Sequence, residues 1–494
     1  MKRFFGKIFA FAILSAATLF AAFSFQSCAV DGSSSRSVKV GGGTVDSDDG
    51  ALERENHDES GEEGDEAEIE DDAEPADVEP SLNQWTVVVY MSADNSLEPD
   101  AIADLNEMES APLPPGMEVL VLLDRADGYD ASNGDWTDTR LFRLERDEHE
   151  SNLIVSERLS SNELGLSVDT ATELDMSNRS TLSALLSFAR KNYEAENYAL
   201  IVWGHGSGWR GGENVSSRAF AMDDGGSSSS YMTISDMRWA VERGMDGKKL
   251  DFLGFDTCFG VCLETAYEFR SAACLMAGSP SIESQAGWDY KSFFQYLSDA
   301  APASGSLPAS LLCDSAMAQF KEQYRNLANS AFCVLNLGHC ADAVSAFDTF
   351  ASAAAATIET YADRDAVLGI FRNKCVSYRS GTPSDVYVDS LDFVRKLRDE
   401  KGDGLIPFYA GIVEADYASF VVDSWNSTEG SCSPGVFFAA EKADGVFMNH
   451  PDSYVSGSGN PTAGSFVNSA RGYVPSKSKY GSLLDKIFYM TLDN

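Results

Sequence analysis

Two short stretches of the chain carry the residue types that nucleophilic catalysis needs. Val202-Trp203-Gly204-His205-Gly206-Ser207-Gly208-Trp209 is an apolar run that stops at a histidine, and Leu250-Asp251-Phe252-Leu253-Gly254-Phe255-Asp256-Thr257-Cys258 is another that stops at a cysteine. A thiol attacks carbonyl carbon as its thiolate, and a neighbouring imidazole supplies the base that makes it. Apolar runs of this length between turn residues read as buried parallel strands. In open α/β sheets chemistry collects at the carboxyl ends of such strands. His205 and Cys258 are therefore expected on neighbouring loops at one edge of a sheet. The N–H groups of Gly206 and Cys258 could together form an oxyanion hole. A helix expected from Val261, just after Cys258, adds a partial positive charge at its N-terminus. Spacing alone leaves structural roles for both residues open: a hydrogen-bonded strand-end histidine and a packing cysteine.

The surrounding pattern supplies the elements that must hold the pair. Trp85–Met91 and Met117–Leu123 read as strands, with a helix over Glu98–Met108 between them. Thr139–Leu144 and Leu153–Leu159 could form a hairpin. Thr181–Tyr193 has the apolar spacing of an amphipathic helix and feeds into the strand Tyr198–Trp203 before His205. Gly211–Tyr231 is rich in Gly and Ser and reads as a long loop, followed by a helix over Ile234–Val241. Past Cys258 come a helix over Val261–Phe269 and a strand over Ala273–Ala277. Strands alternating with helices imply an α/β fold with a mainly parallel sheet flanked by helices. Helical stretches (Ser310–Tyr324, Ala341–Thr360) and strand-like runs (Phe332–Leu337, Val436–Ala439) follow, so residues 306–494 are expected to form an accessory region packed on a catalytic domain of residues 85–305.

The first residues have a targeting pattern. Lys2, Arg3 and Lys7 precede an apolar stretch that ends at Phe25-Gln26-Ser27-Cys28. Residues 1–28 thus read as a lipoprotein-like signal peptide with Cys28 as the lipidation site, and the protein as exported, either anchored at the cell envelope or extracellular. Residues 29–84 read as a disordered acidic linker. Asp46–Glu79 holds 18 acids and one base, Arg54, and has too little apolar surface to offset chain entropy. The formal net charge of −40 offers no basic face for nucleic acid. The nine cysteines form no C-x-x-C pair, and they read mainly as small buried hydrophobes.

The chain resembles the clostripain family of cysteine peptidases, which have a caspase-like α/β fold. The resemblance rests on Tyr90-Met91-Ser92-Ala93-Asp94-Asn95-Ser96-Leu97-Glu98, on Trp203–Trp209, on Asp256–Glu268, and on Gly278-Ser279 through Gly287-Trp288-Asp289-Tyr290. Weaker matches are Tyr387–Phe393 and Gly435–Phe438. The resemblance implies that His205 is the catalytic histidine and Cys258 the nucleophile. It implies cleavage after Arg or Lys, with Asp256 as an acid of the substrate-binding pocket. The chain also departs from the family. Where two acids usually follow the serine it has Pro280 and Ser281, and Ala286 replaces a further acid, so the motif does not account for the pocket's second acidic wall.

The expected function is a secreted or surface-anchored cysteine endopeptidase acting on peptide or protein substrates, with no nucleic-acid partner. Its alternative is a catalytically silent surface lipoprotein of the same fold that binds peptides or proteins. No G-x-S-x-G or H-E-x-x-H motif supports a serine or zinc hydrolase. No metal or other cofactor is expected. Some family members use calcium, but the acidic loops here show no ligand spacing for it. Autoprocessing is expected in the loop between the two catalytic residues, at Arg218-Ala219, where a flexible backbone carries an exposed basic residue.

Overall fold

Strand β1 (Asn83–Ala93) shows why the central runs read as unbroken apolar segments: both of its faces are covered. Val88 and Tyr90 point toward helices α2 (Arg179–Asn192) and α3 (Ile234–Gly244), while Val87, Val89 and Met91 point toward α1 (Glu98–Ser110). Side chains alternate across a strand, so a strand with helices on both faces needs apolar residues at every position. The computed structural model describes residues 83–209, 220–223, 230–302, 306–379, 386–402, 404–438 and 479–489, all within the unit Val78–Asn494. The signal segment with Cys28, the linker up to residue 82, and Arg218-Ala219 lie outside the described residues.

The sheet grows from β1 in both directions. To one side lie β2 (Met117–Arg125), β3 (Thr139–Arg143) and β4 (Glu157–Leu159). To the other lies β5 (Ala195–Trp203). A short antiparallel pair, β6 (Phe220–Asp223) with β7 (Ser230–Met232), stands apart from the sheet, which continues with β8 (Leu250–Asp256), β9 (Ala273–Gly278) and β10 (Ala331–Asn336). A second, three-stranded sheet begins with β11 (Ser377–Arg379) and β12 (Val386–Asp389). β13 (Val421–Asn426) closes the large sheet, and β14 (Gly435–Phe437) joins β12 in the small one. The large sheet has the order β13-β10-β9-β8-β5-β1-β2-β3-β4. Its five central strands are parallel, and antiparallel strands extend it at both edges. Strand order reverses at β1, so the crevice available to a ligand opens beside the carboxyl ends of β1 and β5.

Helices α4 (Leu263–Phe269), α5 (Tyr290–Ala300), α6 (Ala309–Tyr324) and α7 (Cys340–Ala356) follow the central strands. α5 and α6 join α1 on one face; α4 and α7 join α2 and α3 on the other. Then come α8 (Tyr361–Asn373), α9 (Ser390–Lys401), α10 (Leu405–Phe420) and α11 (Lys479–Tyr489). Starts are fixed by side chains that satisfy otherwise unpaired N–H groups: Asn178 caps α2, Thr233 α3 and Asp289 α5.

Three expectations change. The stretch expected as one long loop contains the β6–β7 pair. The helix after Cys258 starts at Leu263 with Cys262 as its N-cap, not at Val261, so Cys258 is not part of its first turn. The boundary drawn at 305/306 cuts through the large sheet, because β10 and β13 lie beyond it and are sheet members.

Candidate active site

Register alone brings the two reactive residues together. β5 and β8 are parallel neighbours in which Trp203 stands opposite Asp256. His205 and Cys258 each lie two residues past that pair, on adjacent strand ends. Neighbouring strands run about 4.8 Å apart. The Gly204 N–H donates to Asp256 O at 3.2 Å and continues the pairing into the turn. Both residues line one cavity of about 160 Å³, together with Leu97, Trp203, Asp256 and Glu283. A larger cleft of about 520 Å³ runs along α1, and neither a cysteine nor a histidine lines it.

The His205 and Cys258 turns touch through backbone. A Cβ on Gly206 would come within 2.4 Å of Cys258 O and 2.8 Å of Thr257 Cβ. Only a residue without a side chain permits this approach, and it places the Gly206 peptide against the Cys258 turn. Phe259 follows the cysteine at φ 55°, a left-handed conformation that is strained for a bulky residue. Its ring stacks on Tyr387, with centroids 5.1 Å apart. Tyr387 in turn donates its hydroxyl to Ser207 O at 2.9 Å, so the small sheet braces both turns. Ser96, at the carboxyl end of β1, places its Oγ 3.5 Å from His205 Nε2.

The loop after β9 completes the wall. The Glu283 N–H donates to Cys258 Sγ at 3.3 Å, and Phe259 N–H and Val261 N–H donate to Ser281 O and Ser279 O. Burial pushes the Cys258 thiol above its ordinary value, and the nearby Asp256 charge adds to this against the opposing Glu283 hydrogen bond. The thiol thus stays protonated at neutral pH until a base takes the proton.

Below the thiol is a buried acidic floor. Asp256 accepts from the Tyr290 hydroxyl at 2.9 Å and the Trp288 N–H at 3.2 Å. Burial pushes it up to about 6 despite these donors. Glu283 faces it, and burial together with the Asp256 charge raises that carboxyl well above the ordinary range. Among the described residues neither Glu283 oxygen has a partner at full hydrogen-bonding geometry, although the nearby Trp288 side chain opposes the rise in its value. The contact with Asp256 is carboxyl to carboxylate and becomes a hydrogen bond when Glu283 holds the proton. Asp104 lies behind Trp203 and accepts from its indole N–H at 2.6 Å. Among the described residues no Lys or Arg forms an ion pair with Asp256 or Glu283.

Glu283 is the functional candidate that sequence reading missed. Its signal was an acid on the loop after the strand beside Cys258, two residues beyond Ser281, the second position where the family motif expects an acid. Gly287-Trp288-Asp289-Tyr290 gains a reason, since Trp288 and Tyr290 hold Asp256 in place. Oxygen donors for a hard cation gather nearby: Asp94, Asp124 and Asp223 bring carboxylate oxygens within 4.8 Å of one another. Glu173 adjoins them; burial and the Glu173 charge push Asp124 up to about 9. An all-carboxylate set of this kind suits calcium.

Comparison with known proteins bears on the family and the fold. The sequence model of the clostripain family matches residues 89–465. Clostripain of Hathewaya histolytica is 30% identical over 218 residues, which cover 40% of this chain and 39% of that protein. An inactive zymogen C11 protease from Parabacteroides distasonis has a similar fold, with a TM-score of 0.52 at 18% identity over 73% of this chain and 90% of that one. A secreted C11 cysteine protease from Bacteroides thetaiotaomicron, solved with an irreversible peptide inhibitor, gives 0.50 at 19% identity over the same shares.

Proposed function

The chain belongs to the clostripain family of cysteine peptidases, and from that premise we propose that it is an exported endopeptidase that cleaves after Arg or Lys through a Cys258–His205 dyad. One observation carries the reading: a single cavity holds a thiol, an imidazole, and buried carboxyls that no Lys or Arg among the described residues balances. A basic P1 side chain would supply that cation, and a charge-assisted contact in a buried site is stronger than an exposed one.

In this mechanism the P1 side chain enters toward Asp256 and Glu283 and sets the scissile carbonyl above Cys258. His205 takes the thiol proton as sulfur attacks the carbonyl carbon. The N–H groups of Gly206 and Cys258 receive the oxyanion. The intermediate collapses, His205 passes the proton to the leaving amine, and an acyl-enzyme remains. Water, deprotonated by His205, then attacks the thioester, releasing the acid product and restoring the thiol. Calcium, where bound by Asp94, Asp124 and Asp223, would neutralise those carboxylates and set the turn that carries Ser96. No step of the reaction is assigned to it.

Export follows from the signal-like segment that ends at Cys28, which would carry the lipid. The test of function is digestion of a mixed peptide library with cut sites read by mass spectrometry. Cuts after Arg and Lys by the wild type, absent with Cys258→Ala, are expected. Peptide retention with no cut would instead support the silent binding protein. Radiolabelled fatty acid entering the wild type but not Cys28→Ala tests the anchor.

A further inference from the structure

Cys333 and Cys432 are thiols whose sulfurs lie 3.2 Å apart, although the two residues are 99 positions apart in the chain. Cys333 is on β10, fully buried, between β9 and β13. Cys432 is half-buried on the segment that leads from β13 to β14. The geometry points to a disulfide between Cys333 and Cys432, a covalent strap that this fold forms when the protein meets an oxidising compartment. A disulfide needs sulfurs about 2.05 Å apart. The 3.2 Å contact must close by about 1 Å for that bond to form.

The chemistry has an entry path. A polar cleft of about 190 Å³, lined by Asp389, Arg395, Glu429 and Ser431, opens on Cys432, whereas Cys333 has no exposed surface. Cys432 is thus the attacking thiol. Its thiolate displaces one sulfur of an external disulfide RS–SR, giving a mixed disulfide and one RSH. Cys333 then gives up its proton and attacks the Cys432 sulfur, releasing the second RSH. The protein loses two electrons and two protons, and the external disulfide gains them. Disulfides of this structural kind belong to exported proteins. The proposal rests on the export reading for its compartment only, not for its geometry.

The strap has something to hold. Directly after Cys432, the Ser433 N–H donates to Asp389 at 2.7 Å at the start of α9. Gly435 N–H then donates to Val261 O, and Phe437 N–H donates to Glu264 Oε1 at 3.0 Å. Through β12, which pairs with β14, Tyr387 reaches Ser207 beside His205. The bond ties this bracing segment to the large sheet, and cross-links of long loops restrict the unfolded chain most. Its loss should lower resistance to heat more than it changes turnover at ambient temperature.

The test uses the full chain carrying Cys258→Ala, which removes self-digestion and the reactive thiol, so the outcome does not depend on whether the protein is a peptidase. The protein is equilibrated with oxidised glutathione, free thiols are alkylated, and unreduced peptides are mapped by mass spectrometry. A Cys333–Cys432 cross-linked peptide is expected, with a melting temperature several degrees higher than after reduction. Cys432→Ser, at a half-buried position, should fold and lose this dependence on reductant. Alkylation of both Cys333 and Cys432 after equilibration, or a bridge that joins either one to another cysteine, would overturn the proposal.

Discussion

Trp203 and Asp256 stand opposite one another across the parallel β5–β8 pair, and that register sets the site. A slip of either strand by one residue would turn every side chain to the other face. It would also move His205 out of step with Cys258. Because both strands are packed on both faces, such a slip is strongly opposed, and the proposed dyad would inherit the precision of the core.

The first prediction concerns that dyad. Cys258→Ala and His205→Ala should each reduce kcat/KM by at least about 1,000-fold, because members of a catalytic unit fail together rather than additively. Melting temperature should stay near that of the wild type, since both side chains line the cavity. Near-normal peptide cleavage by Cys258→Ala would remove the residue from the nucleophile role.

Much of this was legible from sequence, and the reasons are local. His205 and Cys258 each follow a run apolar at nearly every position, a signal for a parallel strand with a reactive turn behind it. Glu283 was not legible, because its role depends on a loop folding back over Cys258, which local periodicity does not encode. β13 was equally hidden. It pairs with β10 across a long stretch of intervening chain, and its own burial is partial, so no unbroken apolar run marks it. α10 carries Leu405, Phe408 and Ile412 on an exposed face, so its residues lack the one-sided pattern that reveals a surface helix.

The acidic floor predicts a specificity that depends on pH. Asp256→Asn or Glu283→Gln should lower kcat/KM for Arg substrates by roughly 10- to 100-fold, the worth of a charge-assisted contact, with less effect on uncharged P1 residues. Asp256 is pushed up to about 6, so cleavage after Arg should weaken as pH falls through 6, because protonation removes the charge that receives the guanidinium. The stability effect has the opposite sense. A folded value above the unfolded value means that this group's contribution is full below about pH 4 and is lost as pH rises through 6. A basic P1 inhibitor should therefore raise melting temperature more at pH 7.5 than at pH 5. Parallel pH profiles for Arg and uncharged substrates would remove the floor from P1 recognition.

Gly206→Ala tests the oxyanion hole by crowding it. The new methyl group would lie 2.4 Å from Cys258 O, so one of the two turns must shift. A displacement of this order at the reacting centre costs about 100-fold in rate. The loss should appear in kcat, with KM for an Arg substrate changed little, because Asp256 and Glu283 are untouched. An unchanged kcat would show that the two turns absorb the added methyl group without moving the reacting groups, and would overturn this prediction.

The carboxylates of Asp94, Asp124 and Asp223 predict a response to calcium that needs no activity assay. Their mutual repulsion is relieved by protons or by a cation. Millimolar calcium at pH 7.5 should raise the melting temperature of the wild type, and Asp124→Asn should lose most of that shift. Terbium luminescence excited through nearby aromatic residues gives a second readout. A wild type whose melting temperature ignores calcium would leave this cluster without a metal role.

The last prediction is self-cleavage at Arg218-Ala219. The bond lies between two anchored residues, Trp209 at 3% exposure and fully buried Phe220. A cut there would leave both new ends tethered to the core, so the two chains would stay associated. A site that takes basic P1 side chains would accept Arg218, and small Ala219 imposes no bulk on the leaving side. Purified wild type should run as two fragments under denaturing conditions, the second beginning at Ala219, and Cys258→Ala should remain a single chain. Arg218→Ala should block the cut at this position while leaving the dyad intact. A single-chain wild type that is fully active would show that maturation at this bond is no part of the protein's chemistry.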